Sequence, residues 1–200
     1  MKKRSILTMV VSLVLVGVIS VGATMAYLTS KTAVATNTFT VGKVGITQKE
    51  EAWDASKAVL VPGLEIPKNP TVTVDANSEP CHVYMKVIIP DEIKALQTAK
   101  DSTNKSIVDI DFNSNWELVT GYTDVYKYKT TVSKNTTAAT PLPAIFTRVK
   151  VSSEATSVQM ATLGATKDIK VASFAIQAND NSITDTALAA QVSAWSATVS

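Results

Sequence analysis

The chain of 200 residues has one cysteine and one histidine, and the two are adjacent, Cys81 and His82. A single cysteine excludes an intrachain disulfide, so the fold must stand on its core. A single histidine excludes the His-Glu-x-x-His zinc site, which needs two on one helix face. A Ser-His-Asp triad would have to recruit His82 from inside an apolar run, with no nucleophile elbow nearby. No CxxC and no glycine loop of the phosphate-cradling kind occurs. Neither charge sign dominates, with 19 Lys and Arg against 17 Asp and Glu. A nucleic-acid partner needs a basic face, and none is expected here. No tandem repeat is visible, and no cofactor is expected.

What the chain does have starts at its first residues. Lys2-Lys3-Arg4 is followed by an uncharged run from Ser5 to Ser30, rich in Val, Leu and Ile. A positive cluster, an apolar run and small residues at a junction are the parts of an export signal. The positive charges stay on the cytoplasmic side while the apolar run enters lipid. Thr24 and Ala26 supply the small residues a signal peptidase requires, which places the cut between Ala26 and Tyr27. A cut after Ala23 is the second choice. The alternative is a retained membrane anchor, because the run exceeds the roughly 20 residues that span a bilayer. Either way the membrane is met only through the leader, and the protein is expected to be secreted, in the extracellular matrix or at the cell surface. Removing Lys2, Lys3 and Arg4 takes the formal charge from +2 to −1. The basic pI therefore belongs to the leader.

The segmentation expected is a signal peptide over 1–26, an extended segment over 27–40 and one β-domain over 41–200. Val and Thr are abundant, and β-branched residues suit a pleated, half-buried surface. Asn37–Gln48 reads as a first strand, with Phe39 and Val41 facing inward and Gly42 and Gly45 marking bends. Trp53 lies in a polar loop and is expected to anchor back on the body. Pro62-Gly63 signals a turn. Thr71–Asp75 alternates strictly, with its valines inward. Cys81–Ile89 is the most apolar strand and is expected at the centre. Cys81 reads as a small buried apolar residue, and His82 as a solvent-facing one.

Pro90–Gln97 reads as a short helix with Pro at its first position. Ile107–Phe112, Trp116–Val119, Val125–Val132, Ile145–Val151 and Asp168–Gln177 read as further strands. Asn135–Pro143 reads as an exposed loop. Ser153-Glu154 reads as a helix start that Gly164 ends. Leu188, Val192 and Trp195 form an apolar stripe at helical spacing on a last helix. Many short strands and two or three short peripheral helices predict an all-β, jelly-roll-like antiparallel β-sandwich behind an N-terminal signal helix. A parallel α/β sheet would need a longer helix between strands.

Asp109-x-Asp111-x-Asn113-x-Asn115 begins like a calcium loop. It has Ser114 and Thr120 where that loop needs Gly and Glu. The run reads as the solvated face of a strand entering a turn, and no metal is expected.

The junction Thr24-Met25-Ala26-Tyr27-Leu28-Thr29-Ser30 and the later Thr38-Phe39-Thr40-Val41-Gly42-Lys43-Val44 resemble the TasA and camelysin-like exported proteins of Gram-positive bacteria. Val61-Pro62-Gly63, Ile66-Pro67-Lys68-Asn69-Pro70, Val83-Tyr84-Met85-Lys86-Val87 and Phe174-Ala175-Ile176-Gln177-Ala178 are similar to that family in the same order. The resemblance implies a leader cut by a SipW-type signal peptidase. It implies a structural subunit of biofilm-matrix or cell-surface fibres, not an enzyme. Assembly would be with itself, or with a related matrix subunit, by N-terminal donor-strand addition. The donor would be Tyr27 to about Thr40, with Tyr27, Leu28, Phe39 and Val41 as its assembly residues. The other readings are a monomeric surface adhesin or binding module, and a camelysin-like metallopeptidase, which the single histidine argues against.

Overall fold

The computed structural model describes residues 42–164, 167–178 and 185–199, with side chains omitted for 185–188. The cleavage pair Ala26 and Tyr27, the assembly residues Leu28, Phe39 and Val41, and the signal helix lie outside the described residues. So does the turn at Asp180-Asn181. Val41–Ser200 forms one compact unit. It is mostly antiparallel β-structure with few short helices. No helix among the described residues is long and apolar enough to cross a membrane.

Among the described residues, ten strands form three sheets. The first orders β1 (Ile46–Lys49), β3 (Thr71–Val74) and β8 (Thr140–Pro141). The second orders β2 (Glu65–Pro67), β9 (Arg148–Val151) and β5 (Val108–Ile110). The third orders β10 (Lys170–Gln177), β4 (Cys81–Ile88), β7 (Val125–Tyr128) and β6 (Trp116–Leu118). The helices are α1 (Asp91–Thr98), α2 (Ser157–Ala161) and α3 (Asp185–Thr198).

The first two sheets are linked by the same pair of chain segments. Lys68 N donates to Thr147 O, Ile145 N to Pro70 O and Leu142 N to Val72 O. Residues 65–74 thus run against residues 140–151 through both sheets, bending where Pro67 and Pro70 cannot donate.

Strand alternation decides what is buried. β4 turns Cys81, Val83, Met85 and Val87 to the main core, where each is at most 1% exposed. They meet Val72 and Val74 of β3, Val108 and Ile110 of β5, and Val149 and Val151 of β9. All three sheets therefore share one core. Phe146, Ile145 and Ile107 fill it from the connecting segments. The other side of β4 holds Tyr84, which joins Val125, Ile176 and Val192 in a second cluster under α3. Trp195 of α3 stacks on Phe174 of β10, with centroids 5.3 Å apart. That fulfils the expected stripe at Val192 and Trp195; the side chain of Leu188 lies outside those described.

Several boundaries differ from expectation. Pro90 is the cap of α1 rather than its first turn, and Asp91 and Glu92 take the positive helix end. Asn135–Pro143 is not wholly an exposed loop. β8 pairs with β3 there, and Leu142 is 5% exposed. Val125–Val132 stops as a strand at Tyr128; Lys129 N still donates to Asn115 O, and Val132 then bridges Cys81. The helix expected from Ser153 begins at Ser157, because Thr156 and Gln159 form the capping box. Gly63 has φ +81 and sits in a turn closed by Leu64 N to Val61 O at 3.1 Å, a backbone state that suits glycine.

Candidate assembly site

Among the described residues, the longest strand edge without a ladder partner belongs to β10. It pairs with β4 at all eight positions, from Lys170↔Ile88 to Gln177↔Cys81. Antiparallel ladders turn alternate residues to alternate sides. Val87, partner of Val171, sends its N–H to Asp124 O on the far side of β4. Val171 O in turn accepts from Gln48 Nε2 at 3.0 Å. Val171, Ser173, Ala175 and Gln177 therefore direct their backbone groups away from β4. The Ser173 and Ala175 groups on this open side have no hydrogen-bond partner among the described residues.

The neighbour on the open side is β1, the outermost strand of the first sheet. Gln48 joins them through its side chain, so the two edges meet without forming a ladder. The chain enters this region just before β1. Lys43 O accepts from Glu79 N at 3.0 Å, and Gly45 O accepts from Asp75 N at 2.9 Å. Glu79 precedes Cys81, the register partner of Gln177, so the entering chain stands at the C-terminal end of β10. Val171, Ala172, Ser173 and Ala175 along the edge have short, partly buried side chains, and Phe174 and Ile176 pack in the cluster under α3.

Cys81 and His82 sit at the start of β4, the strand paired with β10, and turn to opposite faces. Cys81 is fully buried, and burial pushes its thiol pKa up, the opposite of an activated nucleophile. His82 lies on the opposite face of β4 and is half-buried rather than fully solvent-facing. Burial, and then the charge of Lys127, hold its pKa below the usual value. Its Nδ1 lies 3.4 Å from Thr131 Oγ1.

Asp109 and Asp111 do not open toward a shared ion. Arg148 reaches Asp109 at 3.6 Å, Asp111 at 3.7 Å and Glu65 at 3.2 Å, so one guanidinium ties three strand segments together. Burial raises the Asp111 pKa, but donation from the Thr147 hydroxyl and the Thr147 and Arg148 amides outweighs it, and the carboxyl stays below its usual range. Asn113 Oδ1 accepts from Asn115 N, closing a turn. No group of three or more His, Cys, Asp or Glu residues able to hold a metal occurs among the described residues.

Trp53 is 41% exposed and meets the body through the buried Lys68, whose Nζ lies 4.7 Å from its ring centroid. The β10 edge itself could not be read from the sequence, because pairing partners are tertiary. The signal present was only that Asp168–Gln177 is a strand of half-apolar, short side chains. No protein-family model, curated protein or solved structure matches this chain.

Proposed function

We propose that this protein is an exported structural subunit of extracellular matrix or cell-surface fibres. The observation that supports this reading best is the open β10 edge beside the point where the N-terminal segment enters. Exposed edges of this length invite pairing and are usually blunted. Here the edge carries no proline over its eight residues and one outward carbonyl is occupied by Gln48. Strand addition joins an extended segment to such an edge through main-chain hydrogen bonds.

In this reading a SipW-type peptidase cuts between Ala26 and Tyr27 and releases Tyr27–Thr40. That segment pairs with β10 of another copy, or of a related subunit, and Tyr27, Leu28, Phe39 and Val41 seat beside the edge. A donor needs only eight paired residues to cover β10. The contact is head-to-tail and does not close on itself, so it propagates as a filament. The sandwich is inferred to be of jelly-roll type, a reading that the long pairing of residues 65–74 with 140–151 favours.

Electron microscopy of the purified mature protein tests the proposal. Fibres are expected with Tyr27–Thr40 and not without it. Ser173→Pro removes an outward N–H while leaving the β4 ladder intact, and should block growth with the fold retained. Protein that stays monomeric with Tyr27–Thr40 present would rule the proposal out.

A further inference from the structure

Two incomplete strand edges face each other where the chain enters the domain. One is β10, which turns the backbone groups of Val171, Ser173, Ala175 and Gln177 away from β4. The other is β1. Gly45 O accepts from Asp75 N, and the register places Ile46 opposite Val74, so Gly45, Thr47 and Lys49 direct their backbone groups to β3. Ile46 and Gln48 therefore turn theirs outward, on the side of β10, and these groups have no backbone partner among the described residues. Val72, opposite Gln48, accepts from Leu142 on its far side, as this alternation requires. β1 runs antiparallel to β10. Its approach lies by Glu79 at the Gln177 end, and Gln48 lies at Val171.

One side chain crosses the space between these edges. Ile46 and Gln48 share the half-buried side of β1, while Thr47 and Lys49 are exposed. Gln48 Nε2 donates to Val171 O at 3.0 Å in a partly buried bond. Among the described residues no backbone hydrogen bond joins β1 to β10. Exposed edges are commonly blunted by a covering element, and here the cover is a single side chain. A glutamine carboxamide is the same chemical group as a peptide unit. Its N–H occupies Val171 O as the amide of an added strand would.

We infer that Gln48 is a removable plug on the β10 edge, competing for Val171 O with an arriving extended segment of a second copy of this chain. This regulation rests on the strand-addition function proposed for the same edge. Ser173 and Ala175 carry no such plug, so pairing begins there and reaches Val171 last. To reach it, the arriving strand displaces the carboxamide, whose donors return to water, and makes the same bond with its own N–H. One bond within the protein is exchanged for another, so this position adds little net affinity while Gln48 is present. A side chain without a donor at 48 leaves Val171 O open to the strand. The net strength of an ordinary hydrogen bond then corresponds to roughly a two- to tenfold gain in the strand-addition constant.

Sedimentation of fibres grown from the mature protein tests this, the readout being the concentration left soluble at equilibrium. Gln48→Met keeps the length and removes the donor, and should lower that concentration roughly two- to tenfold. Gln48→Glu has no donor at neutral pH and should lower it in the same direction, which separates the lost bond from the apolar character of methionine. Thr47→Ala changes the neighbouring residue of β1, whose hydroxyl donates to Asp75, and should leave the value unchanged. A concentration equal to or above wild type in either Gln48 variant, with fibres still forming, overturns the plug and leaves the strand-addition function standing. So does an equal fall in Thr47→Ala, which would mean that any loosening of β1 suffices. An absence of fibres from wild type and every variant overturns the strand-addition function, and the plug with it.

Discussion

Lys86 and Ser196 are joined across 110 positions of sequence: Lys86 Nζ donates to Ser196 O at 2.7 Å and to Val199 O at 2.8 Å. A strand lysine thereby caps the C-terminal end of α3, where carbonyls lack helical donors and the helix dipole favours a cation. Asp124 stands 3.8 Å away and completes the charge balance. The lysine side chain is 13% exposed, so these bonds are shielded from water. Lys86→Met keeps the apolar stem and removes the donors. Bonds to a charged group at such a site are worth about 1.5–3 kcal/mol. Urea unfolding should shift by that amount, with the near-ultraviolet signal of the Phe174–Trp195 stack lost first. An unchanged midpoint and an unchanged stack would show that α3 is held by Val192 and Trp195 alone.

Phe146 is fully buried at the meeting of the sheets and packs edge-on to Phe112, with centroids 5.7 Å apart. Phe146→Ala should cost about 3–5 kcal/mol, the range for deleting a buried aromatic side chain. Most of a single domain's stability is of that order. Thermal unfolding monitored by circular dichroism should show a large fall in midpoint or no cooperative transition. A fall of only a degree or two would mean that the core rearranges around the gap.

Cys81 should be inert to thiol reagents in the native protein. It is fully buried, and burial raises its thiol pKa, so little thiolate is present at neutral pH. One equivalent of a disulfide reagent should react only in denaturant. Rapid modification in native buffer would contradict the placement of Cys81 in the core.

Asp101 organises the loop before β5. Its carboxylate accepts from Lys105 N, Thr103 N, the Thr103 hydroxyl and the Ser152 hydroxyl. The Lys105 amide and the Thr103 hydroxyl lead in lowering its pKa from 3.8 to about 2. A lowered pKa contributes stability that is fully present above 3.8 and is lost as pH falls through about 2. Amide exchange at Thr103 and Lys105 should therefore speed up across that window. Asp101→Asn should exchange fast at every pH. A flat profile in the wild-type protein would remove Asp101 as the organiser.

β4 was legible because its alternation is carried by large apolar residues, Val83, Met85 and Val87, over a long run. The C-terminal helix was legible from the spacing of Val192 and Trp195. β8 was not, because Pro141 and the threonines around it read as an exposed loop, and only Leu142 betrays the core contact. The start of α2 was misplaced because Ser153-Glu154 looks like a cap. In the structure Glu154 accepts from Ser102 instead, and neighbouring Ser152 donates to Asp101. These side chains hold a loop and leave capping to Thr156. The bond between Gln48 and Val171 had no signature in one dimension, since it joins positions 123 apart. The clamp of Arg148 was hidden for the same reason. Its three carboxylates are Glu65, Asp109 and Asp111, and only the two aspartates are neighbours in sequence.

The ladder between β4 and β10 has a kinetic meaning. Its register pairs Cys81 with Gln177 and Ile88 with Lys170. The most apolar strand of the sheet must wait for a partner near the end of the chain, and long loop closures of this kind slow folding into the millisecond-to-second range. Until Asp168–Gln177 is synthesised, one side of β4 has no native ladder. Any shorter chain ending before Lys170 leaves Val83, Met85 and Val87 in a half-built sheet, so β10 acts as the late closing step on which escape from aggregation depends.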